Sequence, residues 1–215
     1  MNLLTKMALG LIGQMRAGPP VGDGSAALVL PPARTEGGMP LMQVLARRQS
    51  ARAFDPAPLP LQTLSDLLWA AAGVNRPEHG GRTAPSAMNA QEVDVYVALP
   101  EGLYLYDPAA HALQRMLAAD VRRVTGYQDF VDAAPLDLVY VADHARMKLV
   151  PAAQRESYAS VAVGAMAQNV YLYCASAGLS TVIRAWIDRQ ALATAMALGT
   201  DQQVMLAQTV GAAPP

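Results

Sequence analysis

The amino-acid sequence predicts a layered α+β or α/β domain, and three observations carry that prediction. Helical and strand patterns interleave along the 215 residues, as they do when helices pack on a sheet. Hydrophobic residues make up 53% of the chain and charged ones 15%, enough to bury a full core and to exclude wholesale disorder. The longest helical signal, residues 157–177, is apolar on nearly every face (Val161, Val163, Ala165, Met166, Val170, Leu172, Ala175), so it belongs in a core or against another subunit. This length predicts one domain with small extensions. Residues 1–40 read as an N-terminal helix and arm, and 41–215 as the globular domain.

In chain order, residues 7–12 form an apolar run behind Lys6 that Gln14 and Arg16 cut short. It falls below the ~7–15 residues of a signal-peptide core and the ~20 of a membrane span, so a short amphipathic helix is expected. Gly18-Pro19-Pro20, Pro31-Pro32 and Gly37-Gly38 mark residues 17–40 as an irregular arm laid over a neighbour or subunit, outside the core. Leu41, Val44 and Leu45 then share a helical face that Arg47-Arg48 close, since cations favour the carbonyl end. A second helix is expected over 61–73, where Leu64, Leu67, Leu68 and Ala71 repeat at helical spacing and Gly73 serves as a C-terminal stop. Residues 74–88, with Pro77, Gly80, Gly81 and Pro85, read as a loop of functional length. Strands are expected at 93–97, at 103–106 before the Asp107-Pro108 turn, and at 135–141, 181–183 and 204–210. Gly178 ends the long helix, and Leu179 can make the contact that accompanies such a cap.

Sixteen Lys and Arg against seventeen Asp and Glu leave a net charge of −1, without the basic surplus of a dedicated nucleic-acid binder. The charge is unevenly spread. Residues 1–53 hold six basic and two acidic side chains, and the remainder ten and fifteen, so positive charge gathers where an anion could bind. A lone cysteine, Cys174, excludes an internal disulfide and a Cys-based zinc site and fits the reducing cytoplasm. Its apolar surroundings predict a buried structural thiol. His79, His111 and His144 are more than thirty residues apart and show no ligand spacing, so no metal is expected.

Three segments could carry chemistry. In Arg47-Arg48-Gln49-Ser50-Ala51-Arg52-Ala53-Phe54-Asp55, Arg48 and Arg52 lie four apart around the Ser50 hydroxyl. Forked guanidiniums beside a hydroxyl suit a phosphate or another planar anion; a solvated basic helix end has the same appearance. In Arg82-Thr83-Ala84-Pro85-Ser86-Ala87-Met88-Asn89-Ala90-Gln91, small residues around a proline let the backbone approach a flat ligand. Asn89 and Gln91 offer the paired donor and acceptor of a heterocycle's edge, though the same stretch also reads as a plain loop feeding the next strand. Gln168 and Asn169 are adjacent amides in the apolar helix and need partners if buried, on local backbone or in a site.

Together these motifs resemble the nitroreductase superfamily of FMN-dependent oxidoreductases, over residues 39–211. The Arg-Thr-Ala-Pro-Ser-Ala-x-Asn-x-Gln form is similar to the branch that includes SagB-type dehydrogenases. The resemblance implies a three-layer α/β/α sandwich with a mostly antiparallel sheet, in an intertwined homodimer. It also places Arg48, Gln49, Ser50 and Arg52 on the FMN phosphate and pyrimidine edge, with Arg52 near N1/O2. Pro85, Ser86, Ala87 and Asn89 would come over the flavin from the partner subunit, and the backbone at Arg184-Ala185 would face N5. Family members commonly carry a basic pair after the last strand. Residues 211–215 hold none, so phosphate neutralisation falls to Arg48, with Arg184 as a substitute. An insert of loop and helix at about 105–130, with Tyr106, Tyr127 and Phe130, would shape the substrate pocket.

The sequence holds no Ser-His-Asp, Cys-His or paired-carboxylate constellation, consistent with a flavin carrying the chemistry. The implied reaction is a ping-pong hydride transfer from NAD(P)H through FMN to a small nitro or quinone-like acceptor. A SagB-like oxidation of an azoline, a flavin-binding protein without turnover and a simple interaction domain are the alternatives. No membrane or nucleic-acid partner is expected.

Overall fold

The computed structural model describes residues 22–214; the amphipathic helix expected near the N-terminus lies outside them. The chain runs β1 (Leu28–Val29), α1 (Leu41–Arg47), α2 (Leu61–Ala72), β2 (Val74–Arg76), β3 (Gly81–Arg82), β4 (Val93–Leu99), β5 (Gly102–Asp107), β6 (Ala112–Leu117), β7 (Leu136–Asp143), α3 (Ala152–Ala177), β8 (Leu179–Arg184), α4 (Arg189–Ala195) and β9 (Gln202–Ala212). Seven strands form one sheet in the order β1-β6-β5-β4-β7-β9-β8, and each neighbouring pair is antiparallel.

Successive strand side chains point to opposite faces, and here both faces are apolar. Val93, Val95 and Val97 of β4 and Leu136, Leu138 and Tyr140 of β7 enter one core with Leu67 and Leu68 of α2 and Val163, Met166 and Val170 of α3. Tyr96, Ala98, Val139 and Val141 enter a second core with Leu192 of α4, Ile187 and Val121. Helices therefore cover both sides of the sheet, giving the expected three-layer sandwich.

α3 ends as expected. Gly178 adopts a left-handed conformation (φ 71°) and its N–H bonds the Cys174 carbonyl. Within the single chain the burial of α3 is partial. Ala159, Val163, Met166, Val170 and Cys174 are buried, whereas Tyr158, Val161, Gly164 and Gln168 are exposed in the single chain. Gln168 accordingly needs no internal partner, and Asn169 donates to the Thr83 carbonyl at 3.4 Å. Gly73 follows α2 in an extended conformation (ψ 159°), not as a left-handed stop. It is a glycine because a Cβ there would run into the Trp69 side chain.

Three other expectations are corrected. The loop expected over 74–88 contains the β2–β3 hairpin. The 105–130 region holds no α-helix; it contains the end of β5, β6, a 3-10 turn at Arg122–Thr125 and the loops between them. The arm, expected outside the core, packs into its own chain over part of its described length. β1 pairs with β6, Leu30 joins the first core, and the Ser65 hydroxyl donates to the Pro31 carbonyl at 2.5 Å. Arg34 donates to Asp66 through its backbone N–H and Nε, both at 2.8 Å. Burial alone would push the Asp66 carboxyl up, and the bonds from Arg34 and Gln62 outweigh it, holding it below its ordinary value.

No helix among the described residues is long and apolar enough to cross a membrane, and these residues contain no cluster of three potential metal ligands. Cys174 is fully buried, and burial pushes its thiol well above its ordinary value.

Candidate functional site

α1 stops at Arg47 because Arg48 leaves helical space (ψ 121°) while its N–H still bonds the Val44 carbonyl. The chain then follows the outer edge of the sheet. Ala51 N–H donates to the Thr181 carbonyl of β8, and Asp55 N–H to the Ala212 carbonyl of β9, each at 3.0 Å. Along this path Gln49, Ser50 and Arg52 are exposed. Arg48 places its guanidinium 5.3 Å from the centre of the Tyr171 ring, and Ser50 Oγ lies 2.8 Å from the Tyr171 hydroxyl. Among the described residues, Arg47, Arg48 and Arg52 pair with no carboxylate, whereas Arg34, Arg115, Arg122, Arg146 and Arg184 do. The arginine segment thus presents uncompensated positive charge beside a hydroxyl. A cleft of about 510 Å³ adjoins it, lined by Arg47, Gln49, Ala51, Tyr171, Gly178 and Ala213.

The Pro-Ser loop is held in a strained form. Met88, Asn89 and Gln91 have φ of 53°, 53° and 50°, a region that non-glycine residues occupy rarely and at a cost. The surroundings fix it. Ser86 Oγ accepts from Gln91 N–H at 2.8 Å, and the Gln91 amide donates to the Gly80 carbonyl at 2.8 Å and to Asn89 Oδ1 at 3.1 Å. Arg146 donates to the Gln91 carbonyl at 3.0 Å while its fork grips Asp94 at 2.8 and 2.6 Å. Beneath the loop Glu92 is completely buried. Burial pushes its carboxyl above the ordinary value, against the pull of Ser86, Arg146 and His144. Pro85 is exposed at the tip.

These two segments are not joined within one chain. Asn169 holds the root of the Pro-Ser loop through Thr83, and Tyr171 holds Ser50. Side chains two apart on an α-helix diverge by about 200°, so the segments sit on different sides of α3. No hydrogen bond between them exists among the described residues.

At the end of β8, Ala185 and Trp186 are exposed. The side chain of Arg184 is not available as a substitute phosphate ligand. It is buried and donates to Asp137 at 2.7 Å, to the Thr125 carbonyl at 2.7 Å and to the Thr125 hydroxyl at 3.0 Å. The sequence shows a basic residue near a turn but not the acid that sequesters it. Two participants escaped the sequence reading, Tyr171 and Asp137. A tyrosine in an apolar helix carries a polar tip that needs a partner, and an acid in an apolar strand needs a cation; those were the signals.

A two-faced antiparallel sheet, with the Arg-Ser segment along its edge and the Pro-Ser loop on another side of α3, defines an α+β protein. The chain belongs to the nitroreductase family, whose model matches residues 45–212, and it is therefore an oxidoreductase by family. A nitroreductase-like protein of Methanocaldococcus jannaschii is 35% identical over 161 residues, 70% of this chain and 81% of that one. The crystal structure of a nitroreductase-like protein from Ralstonia eutropha JMP134 superposes with a TM-score of 0.85 at 54% identity, covering 94% of this chain and 96% of that one. A nitroreductase-like protein from Desulfovibrio desulfuricans, solved in complex with FMN, shares the fold at a TM-score of 0.60 and 22% identity, over 84% of this chain and 89% of that one.

Proposed function

We propose that this chain is an FMN-dependent oxidoreductase. It works as a homodimer with FMN at the subunit interface and passes hydride between NAD(P)H and a small nitro or quinone-like acceptor by a ping-pong cycle. One observation carries the reading: Arg48 and Arg52 lie two residues either side of Ser50, and among the described residues neither pairs with a carboxylate. That donor set fits a phosphate-bearing flavin. Arg48 and Ser50 would hold its phosphate, and Gln49 and Arg52 the pyrimidine edge. The partner subunit's Pro85, Ser86, Ala87 and Asn89 would cover the ring, and the backbone at Arg184-Ala185 would face N5. FMN, when bound, supplies two-electron hydride chemistry, and the protein binds, orients and tunes it.

The exposed apolar residues Leu41, Met42 and Leu45 of α1 and Val161 of α3 support a dimer, because patches of this kind mark association surfaces. A free buried thiol at Cys174 fits a cytoplasmic location.

The test is a visible spectrum of the purified protein, before and after NADH or NADPH under argon, with an FMN titration of the apo-protein. Bound flavin bleached by a nicotinamide is expected. Arg48→Ala should weaken FMN by about 10- to 100-fold, the worth of a hydrogen bond to a charged group. Unchanged affinity rejects the phosphate assignment. Flavin that no nicotinamide reduces points instead to a dehydrogenase fed by another donor, such as an azoline, or to a protein without turnover.

A further inference from the structure

Tyr171 sits on α3 between the arginine segment and β8, and it is 7% exposed. Its hydroxyl meets two groups. Ile183 N–H donates to it at 3.0 Å, and Ser50 Oγ lies 2.8 Å away. β8 is the outermost strand of the sheet, so an outward N–H there has no strand to receive it, and the phenol takes that place. A phenolic hydroxyl has one hydrogen to give. Either oxygen can donate in the Ser50–Tyr171 contact; with Ile183 using a lone pair, the arrangement that also gives the phenol's proton a partner has Tyr171 donating to Ser50 Oγ. In that arrangement Ser50 accepts from the phenol and keeps its own hydrogen for a partner outside, on the side where Ser50 is exposed. The ring of the same residue carries the Arg48 guanidinium at 5.3 Å, within the range of a cation–π contact.

We propose that Tyr171 is a positioning residue for the anionic end of the cofactor. Its hydroxyl makes Ser50 an outward-facing donor to the phosphate, and its ring fixes Arg48 beside it. This rests on the FMN reading above and goes beyond it, because it assigns the ordering of both phosphate-binding groups to one side chain buried behind them. A preorganised donor loses less entropy when the ligand arrives, so removing Tyr171 should weaken binding without removing any group that touches FMN.

The test is a titration of apo-protein with FMN and, separately, with riboflavin, which lacks the phosphate. Wild type, Tyr171→Phe, Ser50→Ala and the double variant are compared, with thermal melts alongside. Tyr171→Phe is expected to weaken FMN about tenfold, the worth of one net hydrogen bond, and riboflavin less than about twofold. In the Ser50→Ala background the same change should add little, because the coupling has already been removed. Tyr171→Leu should lose a further factor by releasing Arg48. Tyr171→Phe binding FMN as wild type does, or losing FMN and riboflavin equally, overturns the proposal and leaves the FMN reading standing. Wild type binding neither flavin overturns the FMN reading itself. If Tyr171→Phe does not fold, Ser50→Ala decides, since it keeps the phenol and its bond to Ile183; an unchanged ratio of FMN to riboflavin affinity then overturns the proposal.

Discussion

Arg184 donates to the Asp137 carboxylate at 2.7 Å in a setting where the two side chains are 3% and 0% exposed. Thr125 and Thr209 also donate to that carboxylate. Burial pushes the Asp137 carboxyl up, and Arg184, Thr209 and Thr125 draw it down, with burial prevailing. The pair ties β7, β8 and β9 to the turn at Arg122–Thr125, and so holds the Ala185 turn in place.

Asp137→Asn keeps the shape but leaves a guanidinium buried without its counter-ion, and arginine does not shed its proton. Breaking such a pair costs about 3–5 kcal/mol. Urea unfolding should show a loss of that size, and Asp137→Leu with Arg184→Met should recover most of it, because a packed apolar pair needs no desolvation. A wild-type midpoint for Asp137→Asn rules this out. Gly126→Ala should act on the same pair: the backbone there is extended (φ 175°), but a Cβ would land on Arg184 Nη1.

Glu92 predicts a pH signature. Its carboxyl is raised in the folded protein by burial, so the unfolded chain loses its proton first as pH rises. Stability falls between the unfolded value, 4.5, and the higher folded one, and the penalty is complete above the latter. Glu92→Gln cannot ionise. Its melting temperature minus that of wild type should therefore rise as pH is raised from below 4.5 through neutrality. A flat difference across that range refutes the assignment, since other titrating groups cancel in the subtraction.

What the sequence disclosed follows the reach of each signal. α2, α3, β4, β5 and β7 were legible because one or both faces repeat apolar residues at fixed spacing. β6 was not, because Gln114 and Arg115 break its alternation while staying half-buried. α4 was hidden by brevity; it is a seven-residue helix of mostly small residues whose start is set by the Asp188 side chain accepting from Ala191 N–H. The Arg-Ser segment was visible as residue types within one turn of chain. The Ser50–Tyr171 contact spans 121 positions and the Arg184–Asp137 contact 47, and no local pattern reports a pairing at that range.

Arg52 is expected to tune the bound flavin. A cation at the pyrimidine edge favours the negative charge that accompanies reduction. A charge-assisted hydrogen bond of about 1.5–3 kcal/mol corresponds to roughly 30–60 mV for a two-electron couple. Arg52→Met should lower the flavin midpoint potential by that amount in a spectroelectrochemical titration, with little change in the melting temperature because the side chain is exposed. An unmoved potential places Arg52 away from the ring.

The divergence of Asn169 and Tyr171 around α3 yields the sharpest test of a shared site. If the arginine segment of one chain meets the Pro-Ser loop of the other, lesions in the two segments complement. Arg48→Ala removes the phosphate cation, and Ala87→Trp places an indole where the ring is to lie. Each homodimer then carries a lesion in both of its sites. In a heterodimer of the two variants, purified through two different tags, one site collects both lesions and the other collects neither. Such a heterodimer should bind one FMN per dimer with wild-type affinity, while both homodimers bind weakly. A site formed within one chain gives the opposite result, because each heterodimer site then retains one lesion and no wild-type affinity returns.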